Sequence, residues 1–225
     1  MRVVVGDKAC IERHTPYTVL MAQTDLDGLA PHEIAVLLVD FQNDFCHPDA
    51  GGRPAGNTAN ARAAAEANDF AREASVHGAH VIYSQQILNL SRFTPLQYQW
   101  ETQGGLCAEG SWGAELFISP IPGATIARKY RFDIWQSPEF PSLLEAHGIQ
   151  GLIITGVELR CCVLYAVLGA EERGYRYVVA QDLVSGQDHD KAVDAVRQYL
   201  TVVHYASVSA RGLLEAWAQA RDVTW

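Results

Sequence analysis

Short apolar runs alternate with longer Ala-rich or amphipathic stretches along most of this chain. Ile34–Asp40, "IAVLLVD", is apolar at every position before a closing acid, the pattern of a strand buried on both faces. Asn57–His77 is rich in Ala and predicts a helix capped by Asn57. Further strands are predicted over Ala79–Ser84, Ala124–Lys129, Gly151–Val157, Tyr175–Ala180 and Val202–Ala210. Helices are predicted over Pro138–His147, Cys162–Arg173 and Asp188–Tyr199. The segment Gln85–Pro122 mixes polar and aromatic residues with several glycines and reads as loops and short helices. Strands alternating with helices predict an α/β protein: three αβα layers around a six-stranded, mainly parallel, Rossmann-like sheet.

That architecture says where to look for chemistry. Open parallel sheets bind ligands at the carboxyl ends of their strands, near a switch in strand order. Asp40 closes the first strand, Lys129 closes the third, and Cys161–Cys162 follow the fourth. An acid, an amine and a thiol therefore project from one edge. A thiol gains nucleophilicity when a helix N-terminus or a nearby cation lowers its pKa. Asp40 is then placed to accept the thiol proton and return it to a leaving amine, while backbone N–H groups stabilise an oxyanion. These parts suit acyl transfer from an amide. Each also has an ordinary reading: Cys as a small buried apolar residue, Asp as a turn former, Lys as a solvated charge. Periodicity alone leaves both readings open and does not choose between the two cysteines.

Composition narrows the classes. With 225 residues the chain fits one sizeable domain, and 48% hydrophobic with 19% charged residues is ordinary for a globular core. A net charge of −9 without a Lys/Arg run argues against nucleic-acid or anionic-membrane partners. The first residues lack the apolar stretch of a signal peptide, and no segment approaches membrane-spanning length. Five cysteines without framework spacing point to a reducing cytoplasm. The chain carries no CxxC, HExxH, Walker A or GxGxxG motif, so no cofactor is expected.

Three ordered blocks go further. "AVLLVDFQNDFCHP" (Ala35–Pro48), "IARKYRFDIWQSPEF" (Ile126–Phe140) and "TGVELRCCVLYAVLGAEERGY" (Thr155–Tyr175) resemble the isochorismatase-like cysteine hydrolases. That family includes carbamoylsarcosine amidases, ureidoacrylate amidohydrolases and nicotinamidases. "CAEGSWGAEL" (Cys107–Leu116) resembles a family loop before the third strand, and the likeness runs from about Ile34 to Ala210. The resemblance implies Asp40 and Lys129 as catalytic and, six residues after Gly156, Cys162 as nucleophile, leaving Cys161 as filler. It also implies a cis peptide between Val157 and Glu158, with the N–H groups of Glu158 and Cys162 facing the oxyanion. The implied enzyme is a metal-independent hydrolase of a small linear amide, ureide or carbamoyl compound, acting through a thioester and assembled as a homo-dimer or homo-tetramer.

Departures from the pattern matter too. Metal-binding nicotinamidases carry an Asp and two His after the second strand, where this chain reads "YSQQILNLSRF" without either, so no metal is expected. Family members that cleave a vinyl ether lack the nucleophilic Cys, whereas this chain has one; an isochorismatase-type ether hydrolase is the alternative enzyme. A non-catalytic binding protein retaining the fold is the other alternative, because "ELR" (Glu158–Arg160) replaces the small polar residues usual in this turn. No carrier-protein domain is expected after the last helix.

Gln85, Gln86, Asn89 and Arg92 follow the second strand and are candidates for substrate binding, as solvated loop residues otherwise. Trp135, with Trp100 and Trp112, is a candidate pocket wall or a core residue. Arg160 either meets a substrate carboxylate or points to solvent. His47 reads as a loop residue, Cys46 and Cys107 as structural. Residues 1–33 are expected to form an N-terminal arm ahead of a single hydrolase domain over 34–225.

Overall fold

The computed structural model describes residues 26–50, 58–101, 105–185, 191–202 and 207–221. In chain order the elements are β1 (Ile34–Val39), α1 (Asn43–Cys46), α2 (Thr58–Val76), β2 (His80–Gln86), α3 (Pro95–Glu101), β3 (Thr125–Lys129), α4 (Glu139–Ala146), β4 (Gly151–Gly156), α5 (Leu164–Glu172), β5 (Arg176–Val184), α6 (Lys191–Val202), β6 (Ser207–Val208) and α7 (Ala210–Arg221). All six strands are parallel and lie in the order β3-β2-β1-β4-β5-β6.

Alternation along β1 explains the layers. Ile34, Val36 and Leu38 face a core built with Ala63, Ala67 and Phe70 of α2 and Leu213 of α7. Ala35, Leu37 and Val39 face the opposite core, with Phe140 of α4, Ala166 and Val167 of α5, and Leu200 of α6. Both faces of a central parallel strand are thus covered, which is why its sequence is apolar throughout. Strand order reverses between β1 and β4, and the carboxyl ends of such a pair are where open α/β sheets bind ligands.

Boundaries differ from expectation in instructive places. β2 runs two residues past Ser84, placing Gln85 and Gln86 in the strand, and β5 continues to Val184. Within the expected sixth strand over Val202–Ala210 the described residues form strand at Ser207–Val208, Val202 ends α6 and Ala210 opens α7, and residues 203–206 lie outside the described residues. An apolar run of that length does not distinguish strand from buried helix. The expected Asn57 cap and most of the N-terminal arm lie outside the described residues. Leu26, in the arm's last stretch, is buried in the core beside Gly151.

Candidate active site

Three strand ends supply the site. The chain leaves β1 through Asp40 in a left-handed conformation (φ 51°), which turns its carboxylate back over the sheet edge. Ser84 of β2 holds it there: Ser84 Oγ accepts from the Asp40 backbone N–H at 3.2 Å and donates to Asp40 Oδ1. Lys129, the last residue of β3, reaches across β2 so that Nζ lies 2.6 Å from Asp40 Oδ2, with neither side chain exposed. Nζ also donates to the Phe132 carbonyl at 2.8 Å. Burial alone lowers the lysine's pKa, but Asp40 and Cys162 outweigh it and hold the ammonium above its ordinary range.

The third member arrives from β4 through a tight passage. Gly156 (φ 122°) crosses β1 so closely that a Cβ there would stand 2.3 Å from the Val39 carbonyl oxygen. A cis peptide joins Val157 to Glu158, and a π-type turn, Leu159–Val163, precedes α5. Cys162 occupies that turn, 4% exposed, close enough to Asp40 and Lys129 for both charges to act on its thiol. Its Sγ also points at Gln86 Oε1, 3.8 Å away. Cys161, by contrast, is only half-buried. The thiol pKa is not lowered as the sequence suggested. Burial pushes it up, Lys129 pulls it down, Asp40 pushes it up again, and the balance is a resting thiol.

Polar residues that the sequence reading passed over fix this arrangement. Gln42 is fully buried: Nε2 donates to the carbonyls of Gln86 (2.8 Å) and Ala114 (2.7 Å), and Oε1 accepts from the Gln86 N–H (2.8 Å). Asn60 of α2 donates to the Phe45 carbonyl and to Glu158 Oε1, tying the cis turn to the first helices. Neither residue carries a local signal, since each partner lies far away in sequence.

The remaining candidates scatter. Gln86 faces Cys162, whereas Gln85 points to the other side of β2 and donates to the Ala114 carbonyl at 2.9 Å. Arg92 is exposed and lies over the Tyr130 ring, 3.8 Å from its centroid. Asn89 caps the short turn Leu90–Arg92 and also donates to Glu109. Trp135 is a core residue and not a pocket wall: its ring packs on Gly169 and Phe140, and Nε1 donates to the Ala166 carbonyl at 2.9 Å. Trp112 is on the surface, edge-on to His47, and the Trp100 side chain lies outside the described residues. Arg160 is half-buried in the π-type turn. Cys46 and Cys107 are buried, each thiol pushed up by burial.

Among the described residues no cluster of three or more His, Cys, Asp or Glu is arranged to hold a metal ion, and no helix is long and apolar enough to cross a membrane.

Known proteins share this framework. The chain matches the isochorismatase domain over residues 34–207. It is 30% identical over 167 residues to the ureidoacrylate amidohydrolase RutB of Azorhizobium caulinodans, covering 64% of this chain and 72% of that one. Its fold superposes on a cysteine hydrolase from Pseudomonas syringae pv. phaseolicola with a TM-score of 0.75 at 18% identity, covering 85% of this chain and 95% of the other. N-carbamoylsarcosine amidase from Thermoplasma acidophilum superposes with a TM-score of 0.66 at 22% identity, over 78% and 98% respectively. The chain belongs to the isochorismatase family and is a hydrolase.

Proposed function

We propose that this hydrolase cleaves the C–N bond of a small linear amide, ureide or carbamoyl compound, with Cys162 as nucleophile and Asp40 as proton carrier. The observation that carries the reading is the buried Asp40–Lys129 contact of 2.6 Å at the strand edge where Cys162 emerges. The named relatives add to it: the similarity to a ureidoacrylate amidohydrolase favours a ureide, in which a carbonyl carbon stands between two nitrogens.

The chemistry follows from the resting thiol. As the substrate carbonyl enters, the Cys162 proton passes to Asp40 and Sγ attacks the carbonyl carbon. The N–H groups of Glu158 and Cys162 receive the oxyanion. Collapse breaks the C–N bond, and Asp40 returns the proton to the departing amine. Water then attacks the thioester, giving a proton to Asp40, and loss of the acyl group restores the thiol. Lys129 remains charged throughout, holding Asp40 in place and, once Asp40 carries the thiol proton, compensating the negative charge that develops on the sulfur. No step draws on a metal, in keeping with the His- and Asp-free stretch Tyr83–Phe93.

Ammonia or amine release from a panel of linear ureides and carbamoyl acids tests the reading. Wild-type protein should turn over at least one member, and Cys162→Ala and Cys162→Ser should lose at least a thousandfold in kcat. An inactive wild type across the panel, or full activity in Cys162→Ala, overturns it.

A further inference from the structure

The two oxygens of the Asp40 carboxylate are not equivalent. Oδ1 accepts a hydrogen bond from Ser84 Oγ. Oδ2 lies 2.6 Å from Lys129 Nζ as an ion pair, yet among the described residues no hydrogen bond reaches it. One oxygen is thus occupied by a directed donor, while the other keeps a lone pair open beside a positive charge. That ammonium is also close enough to Cys162 for its charge to act on the thiol.

Ser84 enforces this difference. β2 pairs with β1 so that Tyr83 stands beside Leu38, which carries Ser84 toward the turn at Asp40. Ser84 is fully buried, so bulk water does not compete for its hydroxyl. Oγ already accepts from the Asp40 backbone N–H at 3.2 Å, and a hydroxyl carries one proton, so that proton is directed to Oδ1. A proton arriving on Oδ1 would meet the hydroxyl proton head-on, and Ser84 would need another acceptor in a buried place. A proton arriving on Oδ2 disturbs nothing: carboxylate and carboxylic acid alike leave Oδ1 as an acceptor for Ser84. Asp40 can therefore gain and lose a proton without rearranging its partners, which is what preorganisation requires.

We propose that Ser84 is a positioning residue for proton transfer, holding Oδ1 so that Oδ2 takes the Cys162 proton and delivers it to the departing nitrogen. In the first step the S–H proton moves to Oδ2 as Sγ bonds the carbonyl carbon and the carbonyl electron pair moves to oxygen. In the second the Oδ2 proton goes to nitrogen as the C–N bond breaks. Ser84 keeps its own proton throughout. The delivery to nitrogen rests on the hydrolase reading above; the choice of oxygen and its effect on the thiol do not.

The test needs no substrate. Iodoacetamide alkylates a thiol by forming an S–C bond, releasing iodide and sending the S–H proton to a base, here Oδ2. Its rate at Cys162, read by peptide mapping of the full-length protein near neutral pH, should fall about tenfold in Ser84→Ala. Ser84→Val should be as slow, whereas Ser84→Thr, the same shape as Val with the hydroxyl restored, should recover most of the rate. A merely structural role predicts the reverse, since looser packing exposes the buried thiol and speeds its alkylation. On any panel compound that wild type hydrolyses, Ser84→Ala should lower kcat about tenfold with KM within twofold. Ser84→Ala removes a single buried atom and decides the matter even where the two branched residues lower the yield of folded protein. Alkylation that is unchanged or faster in Ser84→Ala, or no faster in Ser84→Thr than in Ser84→Val, overturns the role. Wild-type kcat in Ser84→Ala overturns it too and leaves the amidohydrolase reading standing. Slowed alkylation in Ser84→Ala with no hydrolysis by wild type supports the role and counts against the amidohydrolase reading alone.

Discussion

Lys129 Nζ and Asp40 Oδ2 stand 2.6 Å apart with no solvent on either side chain. Their attraction is set against the cost of taking two charges out of water, so the pair contributes little net stability while making each partner indispensable to the other. Removing one charge leaves the other buried and uncompensated. Lys129→Met should therefore cost about 3–5 kcal/mol and abolish activity, and Asp40→Leu should cost a similar amount. The double replacement Asp40→Leu/Lys129→Met should recover much of that loss without recovering any activity. Urea denaturation of the four proteins measures the coupling; additive losses in the double variant would mean the contact carries no special interaction.

This pair was legible in the sequence because its members sit at strand ends, and a parallel sheet presents strand ends on one rim. Apolar runs therefore placed Asp40 and Lys129 together without reference to any relative. The strand pattern narrowed the thiol to Cys161 or Cys162, and choosing Cys162 took the resemblance to the family; the structure buries Cys162 and half-buries Cys161. What stayed hidden was the scaffold of polar side chains. Ser84 meets Asp40, and Gln42 meets Gln86, across 44 residues, while Asn60 meets Glu158 across 98. No local pattern encodes such pairings. Trp135 stayed open for a related reason: whether a Trp after an active strand walls a pocket or fills a core depends on Gly169, on a helix 34 residues later.

The least conspicuous of these polar residues should be among the most sensitive. Gln42 makes three hydrogen bonds in a fully buried setting, two to the backbone of Gln86, whose side chain faces Cys162. Gln42→Ala leaves two carbonyls and an N–H without those partners. With an unsatisfied buried group costing about 1–3 kcal/mol, the expected loss is about 3 kcal/mol or more, with kcat falling as Gln86 loosens. Gln42→Glu keeps the size but sets a carboxylate oxygen against both carbonyl oxygens in a buried place, and should cost at least as much. Thermal melts and steady-state kinetics on the two variants check this; wild-type behaviour in Gln42→Ala would show the network to be dispensable.

Gly156 offers a sharper steric prediction. Its φ of 122° belongs to a region that side chains rarely adopt, and an added methyl would stand 2.3 Å from the Val39 oxygen and 2.6 Å from the Val39 Cβ. Neither neighbour is a flexible side-chain end, so the strand itself must shift. Gly156→Ala should cost more than about 3 kcal/mol, since both backbone strain and overpacking act at one atom. Because β4 leads directly to Cys162, any protein that folds should lose activity as well. A folded Gly156→Ala enzyme with wild-type kcat would contradict the view that this crossing positions the nucleophile.

The buried thiols make stability fall at alkaline pH. Cys46, Cys107 and Cys162 are each raised above the ordinary thiol value of 9.0, chiefly by burial. A group whose folded pKa lies above its unfolded one contributes in full below the unfolded value. That contribution drains away as pH rises past it, because the unfolded chain ionises first. Lys129, also raised, acts in the same sense from 10.5 upward. Each thiol should remove about 1.4 kcal/mol per pH unit above pH 9, so the three together steepen the loss to about 4 kcal/mol per unit. Unfolding free energies from urea titrations between pH 7 and 10 should be flat to about pH 8.5 and then drop. Cys46→Ala deletes one of the three titrating groups and should reduce the slope by about a third, even if the variant begins from a lower plateau. Stability that held level through pH 10 would mean that these sulfurs reach solvent in the folded protein, contrary to the packing that surrounds them.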